Sequence, residues 1–260
     1  MMKKYWFVFI GNELLLEKLE DGSYTIPFQD NPPVPYASKD CLHNITPIGD
    51  KEVKTFKLPV GTTFDERYEI CNLRASFHKL PEYLYLKAGK CEEILYWDSN
   101  TRYCGVCGNK LHMHTDISKK CDNCGKEIWP QLSTAIIVLV HKGDEILLVH
   151  ARNFRGDYYG LVAGFVETGE TLEQAVVREV REETGIEIKN IKYFASQPWP
   201  YPCGLMVGFY AEYESGDIVL QDEELSAGGW FDIHRLPAIP DKLSIARRLI
   251  DNWLATNNVL

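Results

Sequence analysis

Residues 164–186 read GFVETGETLEQAVVREVREETGI, and the fold is decided in this stretch. Glu179, Glu182 and Glu183 stand at i, i+3 and i+4, so on a helix they share one face. Left alone, three carboxylates so close repel one another. A hard divalent cation such as Mg²⁺ relieves the repulsion, because it prefers oxygen ligands. Val176, Val177 and Val180 form an apolar stripe beside them, and Arg178 flanks the carboxylates four residues before Glu182, near enough to pair with it. The ends suit a short helix: Thr171 and Gln174 resemble a capping box, and Gly185 fits the position past the C-terminus. Gly164 and Gly169 allow a tight preceding loop that carries Glu170. An isolated acidic pair in a helix is most often only a solvated face.

Here the whole string fits the Nudix box, G-x5-E-x7-R-E-U-x-E-E-x-G-U with U aliphatic, at every defined position from Gly164 to Ile186. The chain resembles a Nudix hydrolase. That chemistry splits a diphosphate joined to some further moiety, and the box does not name the moiety.

At 260 residues, 45% hydrophobic and 25% charged, the chain has ample core for one large domain or two modest ones. A net charge of −9 opposes non-specific nucleic-acid binding, which relies on basic patches. The N-terminal MMKKYWFVFIGNELLL has no small-residue cleavage site and reads as a strand and not a signal peptide. No apolar segment approaches the roughly 20 residues a membrane span needs. A soluble, cytoplasmic protein is therefore expected.

Residues 1–100 read as a β-rich N-terminal domain. Tyr5–Ile10 and Glu13–Leu16 flank a Gly11-Asn12 turn, and the proline-rich Asp30–Tyr36 is loop. The pattern predicts a helix over Tyr68–Leu80, a strand over Tyr83–Lys87 and a helix over Cys91–Ser99. Residues 101–130 carry Cys104-x2-Cys107, thirteen residues, then Cys121-x2-Cys124, with glycines at 105, 108 and 125. Four thiolates at this spacing suit one tetrahedral Zn²⁺, a zinc ribbon, and four protein ligands make the site structural. Cys41, Cys71, Cys91 and Cys203 show no pattern and read as small core residues.

Residues 131–260 form the third domain. Thr134–Val140 and Ile146–His150 read as paired strands about a His141–Asp144 turn, and Leu161–Ala163 leads into the box. Ile191–Ala195, Leu205–Tyr213 and Trp230–Phe231 continue the sheet, and Asp241–Ala255 is an amphipathic helix. After ten residues beyond Gly185, the chain reaches Ser196-Gln197-Pro198-Trp199-Pro200-Tyr201-Pro202, whose three prolines predict a stiff loop presenting two aromatic rings suited to stacking on a base.

This second signature resembles the SQPWPFPxS motif of the NADH pyrophosphatases (NudC-type) of the Nudix hydrolase superfamily, which also carry a zinc ribbon before the catalytic domain. The resemblance covers essentially the full chain and departs from the motif twice: Tyr201 replaces its Phe and Gly204 its final Ser. It implies an α+β architecture, with the β-rich domain, the ribbon and a Nudix α/β/α sandwich built on a mixed sheet. It implies hydrolysis of NADH or NAD⁺ to NMN(H) and AMP, removal of NAD caps from RNA in some members, and a homodimer. It also implies catalytic Mg²⁺ or Mn²⁺ on Glu179, Glu183, the Ala163 carbonyl and Glu224, with Glu223 a rival to Glu224. Glu182 orients water, binds a further metal or acts as base, and the sequence does not choose. Arg74, Trp129, Phe165 and Ala246, with Gln197, Pro198, Trp199, Pro200, Tyr201, Pro202, Cys203 and Gly204, are the implied substrate contacts. Competing readings are a Nudix enzyme for ADP-ribose or a diadenosine polyphosphate, and a regulatory Nudix fold without turnover. The SQPWP loop argues against the first, and the intact box glutamates against the second.

Overall fold

The computed structural model describes residues 3–36, 38, 41–153 and 156–257. The chain divides into two units, Met1–Gln131 with Pro200–Cys203, and Leu132–Trp199 with Gly204–Leu260.

In the first unit, Gly11 takes φ 61° and joins β1 (Lys4–Ile10) to β2 (Glu13–Lys18), as the turn signal predicts. Then follow β3 (Tyr24–Thr25), β4 (Phe28–Gln29), β5 (His43–Ile48), β6 (Lys51–Leu58) and β7 (Tyr68–Asn72). Among the described residues these make one sheet of order β3-β2-β1-β6-β5, with β4 on β1 and β7 on β2. Trp6, Val8 and Ile10 alternate with Phe7 and Phe9 along β1, and all five are buried, so the sheet is covered on both faces.

Two expectations fail in this unit. The helix predicted over Tyr68–Leu80 is instead β7, paired residue by residue with β2 from Glu13↔Asn72 to Glu17↔Tyr68, followed by a 3₁₀ turn over Ala75–His78. The partner lies more than fifty positions away in the chain, beyond what local periodicity reports. The predicted strand Tyr83–Lys87 and helix Cys91–Ser99 are one continuous helix, α1 (Glu82–Asn100), which buries Leu84, Ala88, Cys91 and Leu95 at helical spacing.

A small sheet of β8 (Leu111–Thr115), β9 (Ser118–Cys121) and β10 (Glu127–Ile128) follows, in the order β10-β9-β8. Lys119 of β9 is 4% exposed. Its ammonium donates to the Asp98 and Thr101 carbonyls at 2.8 and 2.6 Å and meets the Asp98 carboxylate at 2.7 Å. It thus satisfies carbonyls at the C-terminus of α1, where positive charge is favoured. Burial opposes ionisation of Asp98, but His43 and Lys119 hold its carboxyl down to about 2.

In the second unit, β11 (Ser133–Lys142) is the central strand. It runs parallel to β15 (Gly204–Ser215) and antiparallel to β12 (Glu145–Ala151) and β13 (Val162–Phe165). With β14 (Glu187–Trp199) and β16 (Leu225–Asp232) the order is β14-β15-β11-β12-β16, with β13 on β11, the expected mixed sheet. Alternation along β11 makes the sandwich. Ile136, Val138 and Val140 pack with Ala175, Val176 and Val180 of α2 (Leu172–Thr184). Ile137 and Leu139 pack with Ile245, Leu249 and Ile250 of α3 (Ile245–Thr256) on the opposite face.

Three boundaries differ from expectation. β14 runs on through Ser196–Trp199, pairing Trp199 with Gly204, so only Pro200–Cys203 form the tip of the presumed loop. Sheet pairing overrides the proline signal, since Pro198 faces Leu205 in a β14 that, among the described residues, borders β15 alone. The Trp230–Phe231 segment belongs to an eight-residue strand. The helix predicted from Asp241 starts at Ile245, because the Ser244 side chain caps it by accepting from the Arg247 N–H. Among the described residues no helix is long and apolar enough to cross a membrane.

Candidate active site

α2 presents the carboxylates because its ends are fixed. The Thr171 hydroxyl accepts from the Gln174 N–H at 3.2 Å, and the Gln174 side chain accepts from the Thr171 N–H at 2.8 Å. Gly185, with φ 73°, closes the other end by donating to the Arg181 carbonyl. With the valine stripe locked in the core, Glu179 and Glu183 lie where the buried side of the helix meets the open side.

Arg178 does more than the pairing with Glu182 expected of it. Its Nε and Nη2 grip the two Glu170 oxygens at 2.6 and 3.0 Å, and Nη1 reaches Glu179 at 2.9 Å and Glu182 at 3.0 Å. Nη2 also donates to the Phe165 carbonyl at 2.9 Å, tying the loop to the helix. This planar fork matches a carboxylate at two points, which a lysine does not. Glu170, bonded also by the Glu167 N–H, is held down to about 2 chiefly by Arg178. Sequence reasoning assigned Glu170 no role. Its defined place in the box was the available signal.

Gly164 is required by close approach: a Cβ there would run into the Glu179 carboxyl. The obstruction is the far end of a flexible side chain, so Gly164→Ala should leave the fold intact and push that carboxylate aside. The expected result is a loss of about 10–100-fold in turnover with an unchanged melting temperature. Steady-state kinetics beside thermal unfolding checks it, and wild-type turnover would remove the need for glycine here.

Glu183 is 5% exposed. Burial first, then Glu179 and Glu224, push its carboxyl up to about 8. Burial likewise raises Glu179, against the pull of Arg178. Glu183, Ala163, Glu223 and Glu224 line one cleft of about 330 Å³, together with Arg152 and Asn153. The cleft is held by backbone bonds: the Gln221 N–H donates to the Glu183 carbonyl at 3.0 Å, and the Arg152 N–H to the Glu224 carbonyl at 2.8 Å. Of the two rivals, Glu224 is the one whose charge acts on both Glu179 and Glu183. A buried carboxyl among like charges fits a hard divalent cation, which supplies the missing positive charge. Arg152 escaped sequence reasoning because the segment after β12 carries no motif.

The implied substrate residues scatter over both units. In the second unit, Phe165 is exposed at the end of β13, and Pro198 and Trp199 sit on β14 opposite Leu205 and Gly204. Gln197 spends its side chain on the start of α3, donating to the Leu243 carbonyl at 2.8 Å and accepting from the Ile245 N–H at 2.7 Å. Ala246 is buried in the α3 core. Arg74, Trp129, Pro200, Tyr201, Pro202 and Cys203 belong to the first unit, where the Tyr201 and Tyr85 hydroxyls lie 2.7 Å apart.

Also in the first unit, Cys104, Cys107, Cys121 and Cys124 bring their sulfurs within 4.8 Å of one another. Among the described residues no other group of three or more metal-binding side chains does so. The Cys104–Cys124 and Cys107–Cys121 sulfur pairs are 3.6 and 3.4 Å apart. Sulfurs about 2.3 Å from a shared Zn²⁺ would stand about 3.8 Å apart, and a disulfide needs about 2.05 Å. The two halves repeat one turn: Gly108 (φ 74°) donates to the Cys104 carbonyl and Gly125 (φ 73°) to that of Cys121, each at 2.9 Å. The donor set and spacing fit structural zinc.

Comparison with known proteins agrees with this anatomy. Residues 130–253 match the NUDIX domain model, and residues 3–97 match the NADH pyrophosphatase-like rudimentary NUDIX domain. A protein of Salmonella schwarzengrund (strain CVM19633), "NAD-capped RNA hydrolase NudC", is 35% identical over 93% of this chain and 96% of its own length. A protein of the same description from Pseudomonas aeruginosa (strain LESB58) is 46% identical over 64% of this chain, and the match spans 60% of that relative's length. A crystal structure of a NUDIX hydrolase from Nitrosomonas europaea shares the fold at TM-score 0.52 and 19% identity, over 60% of this chain and 92% of that one. The chain belongs to the NudC family of Nudix hydrolases.

Proposed function

We propose that this chain hydrolyses the diphosphate of NADH or NAD⁺ to NMN(H) and AMP, and that it also removes NAD caps from RNA. The observation that carries the reading is the cleft that unites Glu183, Ala163 and Glu224, in a chain whose near-full-length relative is described as an NAD-capped RNA hydrolase. Glu179, Glu183, Glu224 and the Ala163 carbonyl would hold Mg²⁺ or Mn²⁺, with Glu223 the alternative to Glu224. Such a cation, when bound, neutralises diphosphate charge and acidifies water.

The chain's own groups do the rest. Arg178 fixes the directions of Glu179 and Glu182 and anchors the Phe165 carbonyl. Glu182, with its side chain 55% exposed and held by Arg178 at 3.0 Å, would orient the attacking water, bind a further cation or take the water's proton. Phe165, Trp199 and Tyr201 supply rings for base stacking. Three modules support the work, 1–100, 101–130 and 131–260, a division consistent with matches over 3–97 and 130–253. Zn²⁺ on the four cysteines stabilises the middle one. A cytoplasmic homodimer completes the reading, on family resemblance.

The test is hydrolysis of NADH with Mg²⁺ or Mn²⁺, products separated chromatographically, with ADP-ribose run in parallel. The expected products are AMP and NMNH, formed at least tenfold more efficiently than any products from ADP-ribose. Preference for ADP-ribose would keep the diphosphate chemistry and overturn the assigned substrate.

A further inference from the structure

Tyr85 and Gly89 stand four residues apart on α1, so they share one helix face. That face is matched to the loop tip at two points. The Tyr85 hydroxyl lies 2.7 Å from the Tyr201 hydroxyl, one donating and the other accepting. A Cβ added at Gly89 would sit 2.9 Å from Pro200 Cγ, so only glycine admits the ring at this depth. Tyr85 is 4% exposed and its ring meets Phe77 edge-on at 5.4 Å, which leaves its hydroxyl little freedom.

We propose that Tyr85 is a positioning residue for the aromatic loop: with Gly89 it seats Pro200–Tyr201 and so fixes the ring of Tyr201 that contacts a substrate base. This rests on the reading of Tyr201 as a base-stacking residue. The motif that this stretch resembles has Phe where Tyr201 stands, and a phenylalanine has no hydroxyl to share. Burial raises both phenols, so each keeps its proton at neutral pH and the bond persists. The positive charge of Arg74 pulls both phenols the other way, less strongly than burial raises them.

The experiment compares the full-length wild type with Tyr85→Phe, Tyr201→Phe and the double variant. Two readouts are taken: KM and kcat for NADH, and hydrogen exchange of the peptide covering residues 196–206. Each single change should raise KM about 3- to 10-fold, the worth of one lost hydrogen bond, with kcat within about twofold. Each should also speed exchange at the tip. The double variant should lose no more than either single one, because both remove the same bond. Wild-type KM and exchange in Tyr85→Phe, or losses that add in the double variant, would overturn the proposal. Should Tyr85→Phe fail to fold, Tyr201→Phe tests the same bond from the other side. A wild type that leaves NADH intact would sink the substrate reading alone, because the exchange data still decide whether Tyr85 seats the tip.

Discussion

Glu183→Gln is expected to lower NADH turnover by about 10²–10⁴-fold, the several kcal/mol a metal contributes to the transition state, and at the same time to stabilise the metal-free protein. The two effects come from one cause. The buried carboxyl of Glu183 titrates at about 8, raised by burial and by Glu179 and Glu224 from an ordinary value of 4.5. Its folded pKa therefore lies above its unfolded one. As pH rises, the unfolded chain gives up this proton first, so stability is fully present below about pH 4.5 and falls until about pH 8. Glutamine keeps the shape without the charge, so above pH 8 the variant should gain up to a few kcal/mol when metal is chelated. Steady-state kinetics with Mg²⁺ and melting curves in chelator at pH 6 and 8.5 check both halves. Near-normal turnover would remove Glu183 from the cation site, and a variant that melts lower at pH 8.5 would show that the carboxylate is paired in some other way.

Cys121→Ser should release zinc and destabilise the first unit. Cys121 is 1% exposed and its sulfur lies 3.4 Å from that of Cys107, so a serine hydroxyl would be left buried among three thiols. Zinc binding supplies on the order of 10 kcal/mol to folding in comparable sites, against a ribbon core of little more than Leu111 and the cysteines themselves. The expected outcome is a zinc content falling from one per chain to near zero, with a melting temperature lower by ten degrees or more. Elemental analysis beside calorimetry decides it, and a zinc-free variant of wild-type stability would defeat the structural role.

What could be read from sequence was the local part. The helix from Thr171 to Gly185 announces itself because its caps, apolar stripe and carboxylates are all set within fifteen residues. The cysteine pairs are equally local, since each half makes its own turn round its own glycine. α1 was misread for a reason now visible. Gly89 interrupts the helical pattern, and it is there because Pro200 occupies the space its side chain would need. A residue chosen for a contact more than a hundred positions away looks, along the chain, like a break. The same holds for β7, whose partner is β2, and for Ser196–Trp199, where Pro198 and the prolines just beyond it suggest a loop although β15 holds the segment in a strand. In the site itself the glutamates were legible. The grip of Arg178 on Glu170 was not, because it depends on the return path of the Gly164–Gly169 loop.

The buried ammonium of Lys119 carries a consequence for anyone dissecting this protein. A sequence-based cut near residue 100 severs Asp98 from Lys119. One fragment would then keep a helix end with bare carbonyls and a carboxylate that had been held at about 2. The other would keep a lysine with no reason to stay inside. Separate N-terminal and ribbon fragments should therefore express poorly, whereas residues 1–131 should melt in a single transition that zinc removal shifts as a whole. A chimera that borrows a ribbon from a relative would have to bring its helix terminus along.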